Sequence, residues 1–271
     1  DVMSGVDYVF HAAALKQVPT CEFFPMQATQ TNVVGSQNII NSAISHGVSK
    51  VISLSTDKAV YPVNALGITK ALMEKVVQST SRKLFQGQTI LSLVRYGNVL
   101  FSRGSVIPLF LKQIREKKPI TVTEYEMTRF LLPLKEAIQL VGFALQNGRQ
   151  GDIFVCNAPS ANIGDLAQAL KNIFSSDSEI KIMGIRHGEK LHETLVSKEE
   201  LLRSEDMGGY LRLSMDDRDL NYKKYLSEGD KKVIQTEDYT SQNTTRLTVP
   251  KIEEMLLAQP EIIAELKNQE L

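Results

Sequence analysis

At 271 residues, with 42% hydrophobic and 23% charged side chains, the chain has ordinary globular composition, long enough for one large domain or two small ones. Its 31 lysines and arginines balance 31 aspartates and glutamates, which argues against a basic nucleic-acid-binding surface but leaves room for a local phosphate cleft. No apolar run reaches the roughly 18–20 residues that cross a bilayer, so membrane insertion is not expected.

Two cysteines without paired spacing, Cys21 and Cys156, fit a reducing cytoplasm and speak against a Cys-rich metal site. No charged-then-apolar leader opens the chain, and the expected location is cytoplasmic.

Residues 7–14 (DYVFHAAA) read as a buried strand running into small residues, the kind found in parallel sheets covered on both faces. A helix is predicted over 29–46, stopped by Gly47, then a strand over 50–56, a helix over 64–84 and a strand over 89–98. Further helices are predicted at 106–117, 134–146 and 163–174, and strands at 119–123, 152–158 and 179–183. Strands alternating with helices in this way predict an α/β fold with a doubly wound parallel sheet. The polar stretches 216–221 and 236–245 and the helices at 249–257 and 260–266 close the chain. A parallel sheet that opens on a single strand without a partner leads to the expectation that residues are missing before Asp1.

Four constellations could carry chemistry. Ser55-Thr56-Asp57-Lys58 lies at the carboxyl end of a predicted strand, where open α/β sheets bind ligands, and Lys70 follows on the next helix. An acid beside an amine, with a hydroxyl alongside, supplies a proton donor, an acceptor and a positioning hydrogen bond; the alternative is a solvated pair at a helix start. Arg95-Tyr96-Gly97-Asn98 with Arg103-Gly104-Ser105, Met127-Thr128-Arg129-Phe130, and Arg186-His187-Gly188-Glu189-Lys190 each place arginine in or next to a predicted loop. Together they could hold a pyrophosphate, or they could be ordinary surface arginines. His187 and His192 stand five apart, which does not suit a helical zinc site, and no metal is expected. Cys21 reads as a small buried filler and His11 as a satisfied structural histidine.

In this order the segments resemble the extended short-chain dehydrogenase/reductase superfamily. The resemblance implies a Rossmann-like doubly wound parallel sheet with a smaller C-terminal substrate-binding region, divided into a partial cofactor-binding domain over 1–100, a substrate-binding region over 101–215 and an extension over 216–271. The superfamily's glycine-rich phosphate loop after its first strand does not occur, so N-terminal βα units are expected to be missing. The runs His11–Pro19, Thr31–Gly35, Leu54–Ala59, Arg95–Val99, Met127–Phe130 and Arg186–Lys190 are similar to those of nucleotide-sugar 4,6-dehydratases of bacterial polysaccharide synthesis. With Asp217–Tyr222 and Tyr239–Asn243, the chain most resembles the 5-inverting UDP-N-acetylglucosamine 4,6-dehydratases of capsule and O-antigen pathways. One departure is Leu66, where the superfamily expects a tyrosine four residues before Lys70; members of the inverting branch similarly lack it.

The resemblance implies a mechanism that oxidises sugar carbon 4, eliminates water across carbons 5 and 6, and returns the hydride to carbon 6. It implies Lys58 as base for the carbon 5 proton, Asp57 as the acid that releases water and Thr56 as hydrogen-bond partner of the 4-hydroxyl. A basic Lys58 needs a lowered pKa, to which desolvation, Lys70 and the nicotinamide charge would contribute. Lys70, Asn32, Ala12 and Ala13 take the cofactor side, with NADP expected and NAD the alternative. Lys16, Asn98, Arg103, Arg129, Arg186 and Glu189 take the UDP-sugar, and Val106 with residues 120–122 could pack the uracil. A homo-oligomer is expected, with no nucleic-acid partner. A UDP-sugar 4-epimerase or retaining dehydratase is the alternative enzyme. A non-catalytic sugar-nucleotide-binding protein is the alternative of another class, although a mere binder has no use for an acid and base at Asp57-Lys58.

Overall fold

The computed structural model describes residues 2–85, 87–216 and 237–269, and the tail run Asp217–Tyr222 lies outside them. The chain forms two compact units that interleave in sequence: unit 1 takes Asp1–Arg95, Gln139–Asn157 and Leu195–Tyr239, and unit 2 takes Tyr96–Ile138, Ala158–Thr194 and Thr240–Leu271. Unit 1 thus holds most of the expected cofactor-binding region and adds two later segments to it.

Unit 1 is built on a six-stranded sheet in the order Tyr8–His11, Lys50–Leu54, Ile90–Arg95, Ile153–Cys156, Tyr210–Leu213, Ser204–Asp206. The first four strands run parallel and the last two antiparallel. The central strands are near-continuous apolar runs because both their faces are covered: Val51, Ile52, Leu91, Leu93, Val94, Phe154 and Val155 are fully buried. The expected α/β class with a parallel-rich, Rossmann-like sheet is therefore present. The expectation that the first strand is buried is corrected. Among the described residues it pairs on one side only, and Tyr8 and Phe10 are 54% and 53% exposed.

Two strands of this sheet went unread in the sequence. Tyr210–Leu213 and Ser204–Asp206 form a hairpin closed by Met207 N–H to Tyr210 O, with Gly208 and Gly209 both at positive φ, as this tight turn requires. The helix predicted over 29–46 starts earlier. Pro25–Thr29, Gln30–Val34 and Gly35–Ser45 run on without a break, and the middle segment is a π-turn that brings Asn32 and Val33 inside. A short helix, Val18–Phe23, precedes it with Pro19 in its first turn.

Unit 2 has its own core. In the Val106–Arg115 helix, Ile107, Phe110, Leu111 and Ile114 share one face, spaced three and four apart, and pack with Leu166, Leu170, Ile252 and Leu256. Thr128–Leu132 is a fully buried strand between Asn98–Val99, parallel to it, and Ser160–Asn162, antiparallel. This corrects the expectation of a loop around Arg129. The predicted strands near 120 and 180 exist as Ile120–Val122 and Ile180–Ile182, but they pair with each other and not with the main sheet. Ile120 and Val122 point into the core, where a uracil would not reach them.

Candidate functional site

The parallel register sets the carboxyl ends of Tyr8–His11, Lys50–Leu54 and Ile90–Arg95 side by side, and the sequence-predicted acid, amine and hydroxyl fall there. Ser55 stays tied to the sheet through N–H donation to Val94 O at 2.7 Å. Thr56, in extended conformation, caps the single 3-10 turn Asp57–Ala59; its Oγ1 accepts from Lys58 N–H at 3.4 Å and donates to Asp57 Oδ1 at 2.8 Å. Asp57 is fully buried, and its Oδ1 also accepts from Lys58 Nζ at 3.1 Å. Among the described residues, Asp57 Oδ2 is buried and has no hydrogen-bond partner.

Asn64 starts the next helix, Ala65–Ser81, by accepting Gly67 N–H at 2.8 Å. Further along, the buried Lys70 ammonium donates to Leu54 O at 2.6 Å, at the end of the strand that leads into the Thr56–Lys58 turn. Burial lowers its pKa to about 8, against the opposing charge of Glu74. His11 is satisfied as expected. Ser36 Oγ gives its one proton to Asn32 O at 2.7 Å, so His11 Nε2–H must be the donor in their 2.8 Å contact. Burial, then the charge of Lys70, lower the His11 pKa.

Asn32 is a clamp. Its Oδ1 accepts Leu15 N–H at 2.8 Å, and its Nδ2 donates to Leu15 O at 3.0 Å and to Thr69 Oγ1 at 3.1 Å. The segment that holds Ala12, Ala13 and Lys16 is thereby fixed to both helices. Ala12 and Ala13 are exposed just past the first strand. Lys16 has a lowered pKa, from burial and then from the charge of Lys58, so the two lysines sense each other. Leu66 does not face this polar set; it is buried in an apolar cluster with Cys21 and Ala28. Tyr61 does not replace the missing tyrosine. Partial desolvation and the Asp238 and Glu199 carboxylates push its phenol up to about 12.

Arg95 is corrected as a phosphate ligand. All five of its N–H groups are engaged inside unit 1: Nε and Nη2 with Glu74 at 3.1 and 2.7 Å, Nη1 and Nη2 with Glu200 at 2.9 and 3.0 Å, and Nη1 with Leu195 O at 2.8 Å. Glu74 Oε1 also accepts Ser55 Oγ–H at 2.5 Å. Burial opposes the charge of Glu200, but Arg95 outweighs it and holds the Glu200 pKa low. Sequence reasoning missed Glu74 and Glu200. The one available signal was the spacing of Lys70 and Glu74, four apart on a helix.

In unit 2, Asn98 pairs beside Leu131, and its Oδ1 is buried with no hydrogen-bond partner among the described residues. Arg129 is buried and clasps the backbone: Nη1 donates to Thr128 O and Leu191 O at 2.7 and 3.3 Å, Nη2 to Lys190 O at 3.0 Å. It therefore supports the 186–191 loop, on which Arg186 and Glu189 approach to 3.6 Å. Arg103 is exposed in the turn before Val106–Arg115. His192 sits under the same loop, its Nδ1 2.7 Å from Thr128 Oγ1; burial, Arg246 and Arg129 lower its pKa.

A family model described as polysaccharide biosynthesis protein matches residues 1–215, and one described as polysaccharide biosynthesis protein C-terminal matches 216–262. A Rickettsia felis protein named UDP-glucose 4-epimerase is 56% identical over 268 residues, 99% of this chain and 79% of that protein. The X-ray structure of Pen from Bacillus thuringiensis superposes with TM-score 0.84 at 32% identity, over 95% of this chain and 77% of Pen. DesIV of Streptomyces venezuelae, a dTDP-glucose 4,6-dehydratase solved with NAD, shares the fold at TM-score 0.64 and 21% identity, over 70% of this chain and 64% of DesIV. With four-fifths of its length matched by one family model and near-complete coverage by a relative at 56% identity, the chain belongs to the polysaccharide biosynthesis protein family.

Proposed function

We propose that the protein is a nucleotide-sugar-modifying enzyme of polysaccharide biosynthesis, and within that class a UDP-N-acetylglucosamine 4,6-dehydratase that inverts carbon 5. The observation that carries the reading is the Thr56-Asp57-Lys58 turn: a fully buried carboxyl group bonded to an ammonium and a hydroxyl at a strand's carboxyl end, with an apolar Leu66 in place of a phenol.

Asp57 Oδ1 and Lys58 Nζ lie 3.1 Å apart. In the proposed elimination Lys58, as the free amine, takes the proton from sugar carbon 5 while Asp57, as the acid, protonates the departing 6-hydroxyl, and the pair ends as carboxylate and ammonium. Thr56 hydrogen-bonds at the 4-hydroxyl. A nicotinamide cofactor, NADP in the leading reading, would supply the hydride chemistry between carbons 4 and 6. The residues fit its nicotinamide end: Lys70 presents a buried ammonium with protons beyond the one given to Leu54 O, and small Ala12 and Ala13 leave the strand end open. Lys16 faces the sugar, with Asn32 fixing its segment. Asn98, Arg103, Arg186 and Glu189 hold UDP, with Arg129 supporting the 186–191 loop.

A second reading, UDP-glucose 4-epimerase, is favoured by the name of the Rickettsia felis relative. The test is to incubate the protein and NADP or NAD with UDP-N-acetylglucosamine and, separately, UDP-glucose, and follow both by proton NMR. Loss of the 6-hydroxymethyl signals with a new methyl doublet supports the dehydratase, and the coupling constants report carbon 5. Interconversion of 4-epimers without a methyl signal supports the epimerase and removes the dehydratase.

A further inference from the structure

The turn that carries Thr56, Asp57 and Lys58 is tied at both ends to one short helix, Lys198–Leu201. Ahead of the turn, Ser55 reaches it through Glu74 and Arg95: Ser55 Oγ to Glu74 Oε1 is 2.5 Å, Arg95 Nη2 to Glu74 Oε2 is 2.7 Å and Arg95 Nη1 to Glu200 Oε2 is 2.9 Å. Behind the turn, Tyr61 Oη lies 3.2 Å from Glu199 Oε2 and 3.2 Å from Asp238 Oδ1. Glu199 and Glu200 are neighbours on the helix. It is closed in turn by a capping box between Ser197 and Glu200 and by Lys198 N–H donation to Asp238 Oδ1 at 2.7 Å. Tyr61 holds φ 46°, a left-handed conformation that a side-chain-bearing residue adopts only when its surroundings impose it.

We propose that these two arms form a clamp in which Ser55, Glu74, Arg95 and Glu200 on one side, and Tyr61 and Glu199 on the other, are positioning residues for the acid–base turn. The inference rests on the assignment of Asp57 and Lys58 as the proton-transfer pair.

The chemistry of the long arm supports a positioning role. Arg95 and Glu74 form an ion pair withdrawn from water, with the half-buried Glu200 beside it, and well-packed apolar residues would match or better such a buried pair in stability. What such residues could not supply is direction. Five N–H bonds on one planar group define the separation of three segments, and a serine joins that frame one residue before the reacting groups. Proton transfer is sensitive to such placement, since a displacement near 1 Å can cost about a hundredfold in rate.

The test uses Ser55→Ala and Tyr61→Phe, each removing one arm's contact and leaving Asp57 and Lys58 in place. Each should lower kcat about tenfold with KM for the nucleotide sugar within about twofold of the parent. In an Asp57→Asn background, Ser55→Ala should cost nothing further, because the group it positions no longer works. A folded Ser55→Ala protein with parental kcat, or the same loss in the Asp57→Asn background, overturns the clamp. Should Ser55→Ala fail to fold, Tyr61→Phe at its exposed position carries the same expectation alone. Assays use whichever of UDP-N-acetylglucosamine and UDP-glucose the parent converts, so failure of the dehydratase reading and failure of the clamp are separate results. Crystal structures of the variants give a substrate-independent reading: an Asp57–Lys58 contact stretched beyond about 3.5 Å supports the clamp, and an unchanged one overturns it.

Discussion

Gly67 lies directly beneath the main-chain carbonyl of Lys58: a methyl group on its Cα would overlap that oxygen and press on the Pro62 side chain. The first turn of the Ala65–Ser81 helix can approach the Asp57–Ala59 turn only because this residue has no side chain. Gly67→Ala should therefore push Lys58 away from Asp57. We expect turnover to fall at least about tenfold and stability by about 1–3 kcal/mol, the usual cost of overpacking. Steady-state kinetics with thermal melts check this; an alanine variant with parental turnover would show that the turn yields without consequence.

Replacing Lys58 with Met keeps length and removes the amine. Dehydration should fall by ~10²–10⁴, as for loss of a general base, while UDP-sugar affinity by calorimetry stays within about threefold. More than half of the parental turnover would take Lys58 out of the mechanism.

Lys70 makes a prediction about pH. Its folded pKa is about 8 against an ordinary 10.5, so between those values the unfolded chain binds more protons and stability climbs as pH rises. Below pH 8 the buried charge is a standing cost that Lys70→Met removes. The stability difference between parent and Lys70→Met should shift by up to about 3 kcal/mol in the parent's favour between pH 8 and 10.5. Urea denaturation at pH 7 and pH 10 measures it, and a difference that stays flat with pH counts against a desolvated ammonium.

Two arginines that look alike in sequence should behave differently. Arg129 is buried and serves three carbonyl oxygens, so Arg129→Ala should cost about 3 kcal/mol of stability whether or not substrate is present. Arg186 is largely exposed and meets Glu189 at 3.6 Å. Arg186→Ala should leave the melt unchanged and weaken UDP binding by roughly ten- to a hundredfold, the worth of a charged hydrogen bond to phosphate. Calorimetry with UDP and thermal melts separate the two.

Leu66→Tyr should not raise turnover. Its neighbours are Cys21 and Ala28 in an apolar cluster, so a phenol there would be overpacked, at about 1–3 kcal/mol, and offered no polar partner from that cluster. A hundredfold gain in activity on UDP-N-acetylglucosamine would instead show that position 66 opens on the reacting sugar.

The sheet's central strands and the position of the Thr56–Lys58 turn at a strand end were legible because they rest on local pattern. Runs such as Lys50–Leu54 and Ile90–Arg95 are apolar without alternation, and a Thr-Asp-Lys run after a strand marks a carboxyl end. What was not legible depends on distant partners. Arg95 and Arg129 look like phosphate ligands in sequence, yet part of what engages them comes from positions about a hundred and about sixty residues away, Glu200 and Lys190. Tyr210–Leu213 and Ser204–Asp206 are too short and mixed to announce strands; a hairpin turn and an open sheet edge decide them. The interleaving of the units follows from the same long-range pairing, which no local composition change records.

The π-turn at Gln30–Val34 has a bearing on how this stretch can change over generations. Removing one residue there would restore ordinary helical winding: the flanking helical segments would keep their facing, and the residues inside the turn would lose theirs. Asn32 would swing off Leu15, and the segment bearing Lys16 would lose its anchor. Substitutions at exposed Gln30 or Val34 should be inherited freely, while the number of residues between Pro25 and Ser36 is itself a heritable constraint, carried by spacing and by no single side chain.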